Sequence, residues 1–346
     1  MTSARGPQAP HILKLRGPGD LAEAIPHLLG FHPAASLVVV GLRAPRDRVC
    51  ATLRADLAGP STNRQLAGQL ADLLARQGAT KAFTAVYDDE PIGRGLPRRR
   101  LVREVERALA ARGVEAVDAV LVQRGRWFSC TCHTQSCCPR AGTPLATPAR
   151  PSVLATAFAV ETGAPLPSRE ALLATVAADV PARSPEEVAA AMRSVATLEP
   201  AFRLAMVRGE VQRSLATVAE GPGPSRAQVV SLIALAQHTA CRDEAVLATE
   251  PEDLAPAVRL WSLALRQAPP GCVAQVGALL GSLAFETGQG ALARAAVDRA
   301  LDEDPGHRLA LLLLRLLDDG APPLGGPGRG QGQPRQRAAG AVGGRG

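Results

Sequence analysis

The pattern of apolar and polar positions divides the chain into a front part written in strands and helices and a back part written in helices alone. Ser36-Leu37-Val38-Val39-Val40-Gly41-Leu42 is a short, continuous β-branched run, the mark of a buried strand. Arg48 to Asp56 follows with Val49, Ala51, Leu53 and Ala55 alternating, which predicts a hairpin partner across the turn Ala44-Pro45-Arg46-Asp47. Upstream, Asp20-Leu21-Ala22-Glu23 has the spacing of a capping box, so a helix is expected from Asp20 to about Leu29, disturbed by Pro26 and ended by Gly30-Phe31-His32-Pro33. Leu66, Leu70, Leu73 and Leu74 recur at helical spacing, Lys81 to Tyr87 reads as a strand, and Leu101, Val105 and Leu109 mark a helix whose other face is basic. Val114 to Val122 supplies a fourth strand, and Arg126 to Cys132 a fifth, linked to it through Arg124-Gly125. Strands alternating with helices after an opening hairpin imply a mixed sheet with parallel crossovers.

After about Ala141 the β-branched strands stop. Helical segments follow, separated by proline-rich breaks at Pro144 to Pro151, Pro165-Leu166-Pro167-Ser168 and Gly221-Pro222-Gly223-Pro224, with Ser168 and Ser184 as helix caps. From Ser225 to Asp319 antiparallel helical hairpins are expected. The fold class is therefore α+β or α/β: an N-terminal mixed β-sheet flanked by helices, then an all-α helical-hairpin region. The expected organisation is a flexible N-terminus at 1–17, a sheet domain with the cysteines at 18–140, a linker and helix packing on the sheet domain at 141–183, a helical domain at 184–319, and a disordered tail at 320–346, rich in glycine, proline and arginine.

Charge narrows the function classes. The net charge is +7, but the tail carries Arg329, Arg335, Arg337 and Arg345 without an acid, which leaves about +3 on the body. That balance argues against a nucleic-acid-binding face, and the Arg98-Arg99-Arg100 run with Arg103 and Arg107 reads as a solvated helix face. No apolar run approaches a membrane span, and Met1 to Pro10 has no signal-peptide core, so a cytoplasmic protein without a membrane partner is expected. In that compartment the cysteines should be thiols or metal ligands.

The densest chemistry lies in Arg126 to Pro139, where Cys130, Cys132, His133, Cys137 and Cys138 fall close together. Thiolates are nucleophiles and strong zinc ligands, so this segment is a candidate metal site, with zinc as the ion, or a disulfide, a redox pair, or a set of plain structural thiols. Strand periodicity would put Cys130 and Cys132 on one face, with Cys137 returning to them and His133 or Cys138 as a fourth ligand. A second candidate is the group His32, Asp56 and Asp88, polar residues at strand ends where α/β folds place active sites. Neither is accompanied by a nucleophile elbow, a phosphate loop or a zinc-protease motif.

Two resemblances follow from longer stretches. Gly277 to Pro305, with Leu280-Gly281, Gly288, Ala293, Val297, Ala300 and Pro305, resembles a single tetratricopeptide repeat, although a helical hairpin within a bundle accounts for the same spacing. Four segments together resemble the actinobacterial family known as domain of unknown function 4192: Ile25 to Pro33 with Ser36 to Val40; Arg54-Ala55-Asp56-Leu57; Gly125-Arg126-Trp127 with Cys132 and Cys137-Cys138-Pro139; and Pro167-Ser168-Arg169. The resemblance continues to Asp304-Pro305-Gly306-His307 and implies origin and architecture, since that family carries no assigned activity. Cys130 stands where such proteins usually carry Tyr, and His133 also departs from their pattern. The expected role is binding or scaffolding, with a protein partner along the helical half. The alternative is an enzyme using His32, Asp56 and Asp88 or a reactive Cys132 or Cys137, and nucleic-acid binding stands third.

Overall fold

The computed structural model describes residue 15 and residues 17–321, apart from 58, 60, 94, 133, 135, 147–150, 180 and 181. The flexible-terminus and tail expectations, and His133, lie outside the described residues. The chain begins with helix α1 (Pro18–Leu29), followed by the hairpin β1 (Ser36–Arg43) and β2 (Arg48–Asp56), helix α2 (Asn63–Arg76), β3 (Lys81–Tyr87), helix α3 (Arg99–Ala110), β4 (Glu115–Gln123), β5 (Arg126–Ser129) and β6 (Thr143–Pro144). The strands form one mixed sheet in the order β2-β1-β3-β4-β5-β6. Within it β1 runs antiparallel to β2 and β3, while β3 and β4 are parallel.

Leu37 to Leu42 of β1 form an uninterrupted apolar run, as expected of a strand with both faces covered. Leu37 and Val39 face α2 and α3 together with Ala82, Val86 and Leu121. Val38 and Val40 face α1 together with Phe83, Ala85 and Tyr87. The buried Tyr87 hydroxyl donates to the Ala22 carbonyl at 3.3 Å and ties α1 to that face. The start of α1 corrects the expected capping box: the helix opens at Pro18, and Glu23 instead accepts a hydrogen bond from the Ala146 amide at 2.9 Å. Proline at the first helical position has no amide to satisfy, which explains the earlier start.

The remaining helices are α4 (Val153–Thr162), α5 (Arg169–Ala174), α6 (Pro185–Ala196), α7 (Pro200–Glu220), α8 (Arg226–Ala236), α9 (Thr239–Leu247), α10 (Leu254–Gln267), α11 (Val273–Glu286), α12 (Gly290–Glu303) and α13 (Arg308–Asp318). Ser168 and Ser184 cap α5 and α6 through their hydroxyls, as expected, and Ser225 with Gln228 forms a capping box on α8. Packing divides the segment between sheet and bundle. Helix α4 lies on α1, with the Phe158 ring stacked on His27 at 5.3 Å, whereas Leu172 and Val176 join the helical core around Trp261 and Leu279.

The α11/α12 hairpin shows why small residues recur there. A Cβ placed on Gly277 would stand 2.8 Å from the Ala296 carbonyl oxygen and 3.1 Å from the Ala300 Cβ. Ala293, Val297 and Ala300 are fully buried in the contact. Gly277→Ala should therefore lower stability by about 1–3 kcal/mol, although helix propensity alone favours alanine by about 1 kcal/mol. Ala300→Asp, which buries an unpaired carboxylate, should cost at least about 3 kcal/mol. Denaturant titration of both variants checks this, and a Gly277→Ala protein more stable than the parent would show that the helices are not in close contact.

Candidate functional site

The cysteine segment is shaped by hydrogen bonds at its ends. Strand β5 stops at Ser129, three residues earlier than expected, because the Ser129 hydroxyl oxygen accepts from the amides of Thr131 at 3.2 Å and Cys132 at 2.8 Å and turns the chain. Thr131 then donates to Asp118 of β4 at 2.6 Å. On the return, the Thr134 carbonyl accepts from the amides of Cys137 at 3.3 Å and Cys138 at 2.8 Å. The Arg126 guanidinium reaches across to the carbonyls of Ala141 at 2.7 Å and Gly142 at 2.8 Å. Gly142 has φ +72°, and a Cβ there would fall 2.6 Å from the Phe128 ring, so only glycine lets the chain re-enter the sheet as β6.

These anchors separate the cysteines. Ending the strand at Ser129 removes the shared face expected for Cys130 and Cys132. Cys130 packs inward against the sheet and α3 core, and burial pushes its thiol up to about 12. Cys132 and Cys137 do face one another, with their sulfurs 3.3 Å apart, and Cys138 joins them at 3.7 Å from Cys137. The three sulfurs lie within 4.8 Å of one another at the surface. A backbone hydrogen bond at Thr134, and then the thiols of Cys137 and Cys138, bring Cys132 down to about 7. Cys138 is pushed up to about 12, by desolvation first and then by the same two neighbours.

His32, Asp56 and Asp88 share the sheet end at which Ser36 pairs with both Asp56 and Tyr87. Among the described residues no hydrogen bond or ion pair joins the three. Asp56 pairs with Arg54 at 2.6 Å, and Arg54 also donates to the Ser36 hydroxyl at 2.9 Å. Asp88 pairs with Arg98 at 2.6 Å and caps the Glu90 amide, which fixes the entry to α3. The exposed His32 gives its amide to the Leu166 carbonyl at 2.9 Å, beside a bridge between Phe31 and Leu166.

A cleft of about 590 Å³ runs along β2. Val49, Cys50, Ala51, Thr52, Leu53 and Arg54 all line it. Successive residues of a strand point to opposite faces, so a cavity lined by six in a row lies along the strand's edge. Its sides agree: Leu28 and Leu29 come from the α1 side of the sheet, Leu70 and Leu73 from the α2 side, and Leu172, Phe285 and Leu317 from the helical half opposite. Near one end Phe31 bridges Leu166, and near the other the Gln77 side chain donates to the Asp319 carbonyl at 3.3 Å. Arg54 and Arg169 line the first end, and Arg294, paired with Asp298 and Asp318, lines the α12 and α13 wall.

A protein-family model described as Domain of unknown function (DUF4192) matches residues 18–324. The chain belongs to this family. No curated protein and no solved structure matches the chain. The DUF4192 match takes in both the cysteine loop and the cleft. Of the four segments that carried the resemblance, the one at Cys132 to Pro139 forms the loop, and Ile25 to Pro33, Arg54 to Leu57 and Pro167 to Arg169 supply Leu28, Leu29, Phe31, Arg54 and Arg169 to one end of the cleft. Arg294, Leu317 and the rest of the helical wall had no local signal, since they come from segments far apart in sequence. Among the described residues no helix is long and apolar enough to cross a membrane.

In reduced, metal-free protein, alkylation of Cys132 should follow a midpoint near 7, against about 8.5 for an ordinary thiol, while Cys130 stays unmodified through mildly alkaline pH. Peptide mapping after brief iodoacetamide pulses across a pH series checks the order. Faster labelling of Cys130 than of Cys132 would contradict this geometry.

Proposed function

We propose that the protein is a peptide-binding protein, and that the cleft along β2 receives an extended segment of a partner. The observation that carries this reading is the edge of β2 itself. It is the terminal strand of the sheet, and among the described residues no backbone group outside β1 bonds to it. Alternate residues of such a strand direct N–H and C=O groups outward, and only another backbone matches that row of donors and acceptors. The six lining residues offer about 20 Å of edge, enough for a segment of about six residues. The apolar walls on either side would take its alternate side chains, and Arg169 favours an acidic residue at its end. The helical half enters as the opposite wall of this groove. An enzyme centred on His32, Asp56 and Asp88 draws less support, because both carboxylates are already held by arginines.

The test uses nonapeptides selected from a random display library against the full-length chain. Selected sequences should alternate apolar residues and compete with one another. Binding should weaken about tenfold or more when Ala291, on the α12 wall, is replaced by Trp, and comparably when two alternate peptide amides are N-methylated, each lost hydrogen bond contributing about 1 kcal/mol. Selection of no peptide, or binding indifferent to both changes, would overturn the reading. Binding that appears only after removal of 322–346 would show that the chain's own tail is the occupant, and concentration-dependent dimers blocked by Ala291→Trp would show that a second copy is.

A further inference from the structure

We infer that Cys132, Cys137 and Cys138 form a zinc site at the end of the sheet opposite the cleft. The argument is one of spacing. Tetrahedral zinc with Zn–S bonds of about 2.3 Å holds its sulfurs about 3.8 Å apart, whereas a disulfide brings them to about 2.0 Å. The separations here, 3.3 Å and 3.7 Å with all three sulfurs inside 4.8 Å, lie nearer the first value than the second. The loop is also built to hold that spacing: Ser129 fixes the amide of Cys132, and Thr134 fixes those of Cys137 and Cys138, so the backbone positions of all three ligands are set by hydrogen bonds that do not involve sulfur. Such anchoring orients ligands before the ion arrives. Neighbouring cysteines seldom ligate one ion together, yet here the shared acceptor at Thr134 turns both toward Cys132.

The site is narrower than the sequence candidate. Cys130 is excluded, because it faces the apolar core on the other side of the Ser129 turn. Three sulfurs leave the fourth tetrahedral position to a group outside this set, and sulfur-rich tetrahedral surroundings suit zinc above other common divalent ions. Binding displaces thiol protons and forms three Zn–S bonds, with no change of oxidation state. Its structural effect is to close the loop between β5 and β6, where the sheet would otherwise end in a two-residue strand.

Full-length protein purified under reductant should carry about one zinc per chain by elemental analysis. Cys132→Ser, Cys137→Ser and Cys138→Ser should each reduce it to background, while Cys130→Ser retains it. Cobalt substituted for zinc should give a thiolate-to-metal charge-transfer band that the same three variants lose. Circular dichroism accompanies each variant, and if a serine variant unfolds, zinc competition against a chromophoric chelator on the metal-stripped parent decides the matter. Failure of the stripped, reduced parent to take up zinc would overturn the inference, as would folded Cys130→Ser losing the metal while folded Cys132→Ser keeps it. Because the cleft lies on the other edge of the sheet, neither result bears on peptide binding.

Discussion

Everything in the front half of the molecule depends on enclosing β1. With both edges paired and both faces covered, Leu37 to Val40 are wholly removed from water, at roughly 1.5–3 kcal/mol of hydrophobic stabilisation for each large side chain. That requirement places α1 on one face and α2 and α3 on the other. It also pushes the two hydrogen-bonding edges of the sheet outward to β2 and to the short β5 and β6. Both candidate sites are answers to what happens at those edges: at one, a loop folds back and gathers thiols; at the other, the helical half stands across a gap.

Sequence periodicity located what local physics decides. The limits of β2 and β3 could be read from alternation and from the apolar run alone, and the hydroxyl caps at Ser168 and Ser184 follow from short-range hydrogen bonding. It missed what a distant partner decides. Glu23 looked like a capping residue, but a long-range amide at Ala146 claims it. The stretch Arg126 to Cys132 reads as a strand, yet one hydroxyl at Ser129 outcompetes the ladder and sends Cys130 inward and Cys132 outward. Cys132, Cys137 and Cys138 were all legible as candidates from their density in the sequence, whereas their selection over Cys130 was not, since it depends on the Ser129 turn and on how a single carbonyl orients two successive residues. The cleft was invisible for a similar reason: its walls are contributed by α1, β2, α2, α5, α11, α12 and α13, and no window of sequence contains them together.

The arginine-rich composition acquires a structural meaning in this light. Arg98 binds Asp88 and secures the entry to α3, Arg126 holds the return of the cysteine loop, and Arg54 links the ends of β1 and β2. Each joins segments distant in sequence through a planar, always-charged group that bonds more than one partner at once. The acidic residues that looked available for chemistry at the sheet end are the counterparts of these ties.

The unpaired edge of β2 has one more consequence. A nine-residue strand with an open side is a template on which other strands can grow, and sheets meeting in this way aggregate. Charges commonly spoil such an edge, and β2 carries Arg48, Arg54 and Asp56 near its ends; along the stretch between them α12 and α13 stand across the gap as a further obstacle to the flat border of a second sheet. On the proposed reading the gap discriminates by thickness: a lone chain would enter where a sheet would not, so resistance to fibre growth and access for a single strand would be properties of the same gap.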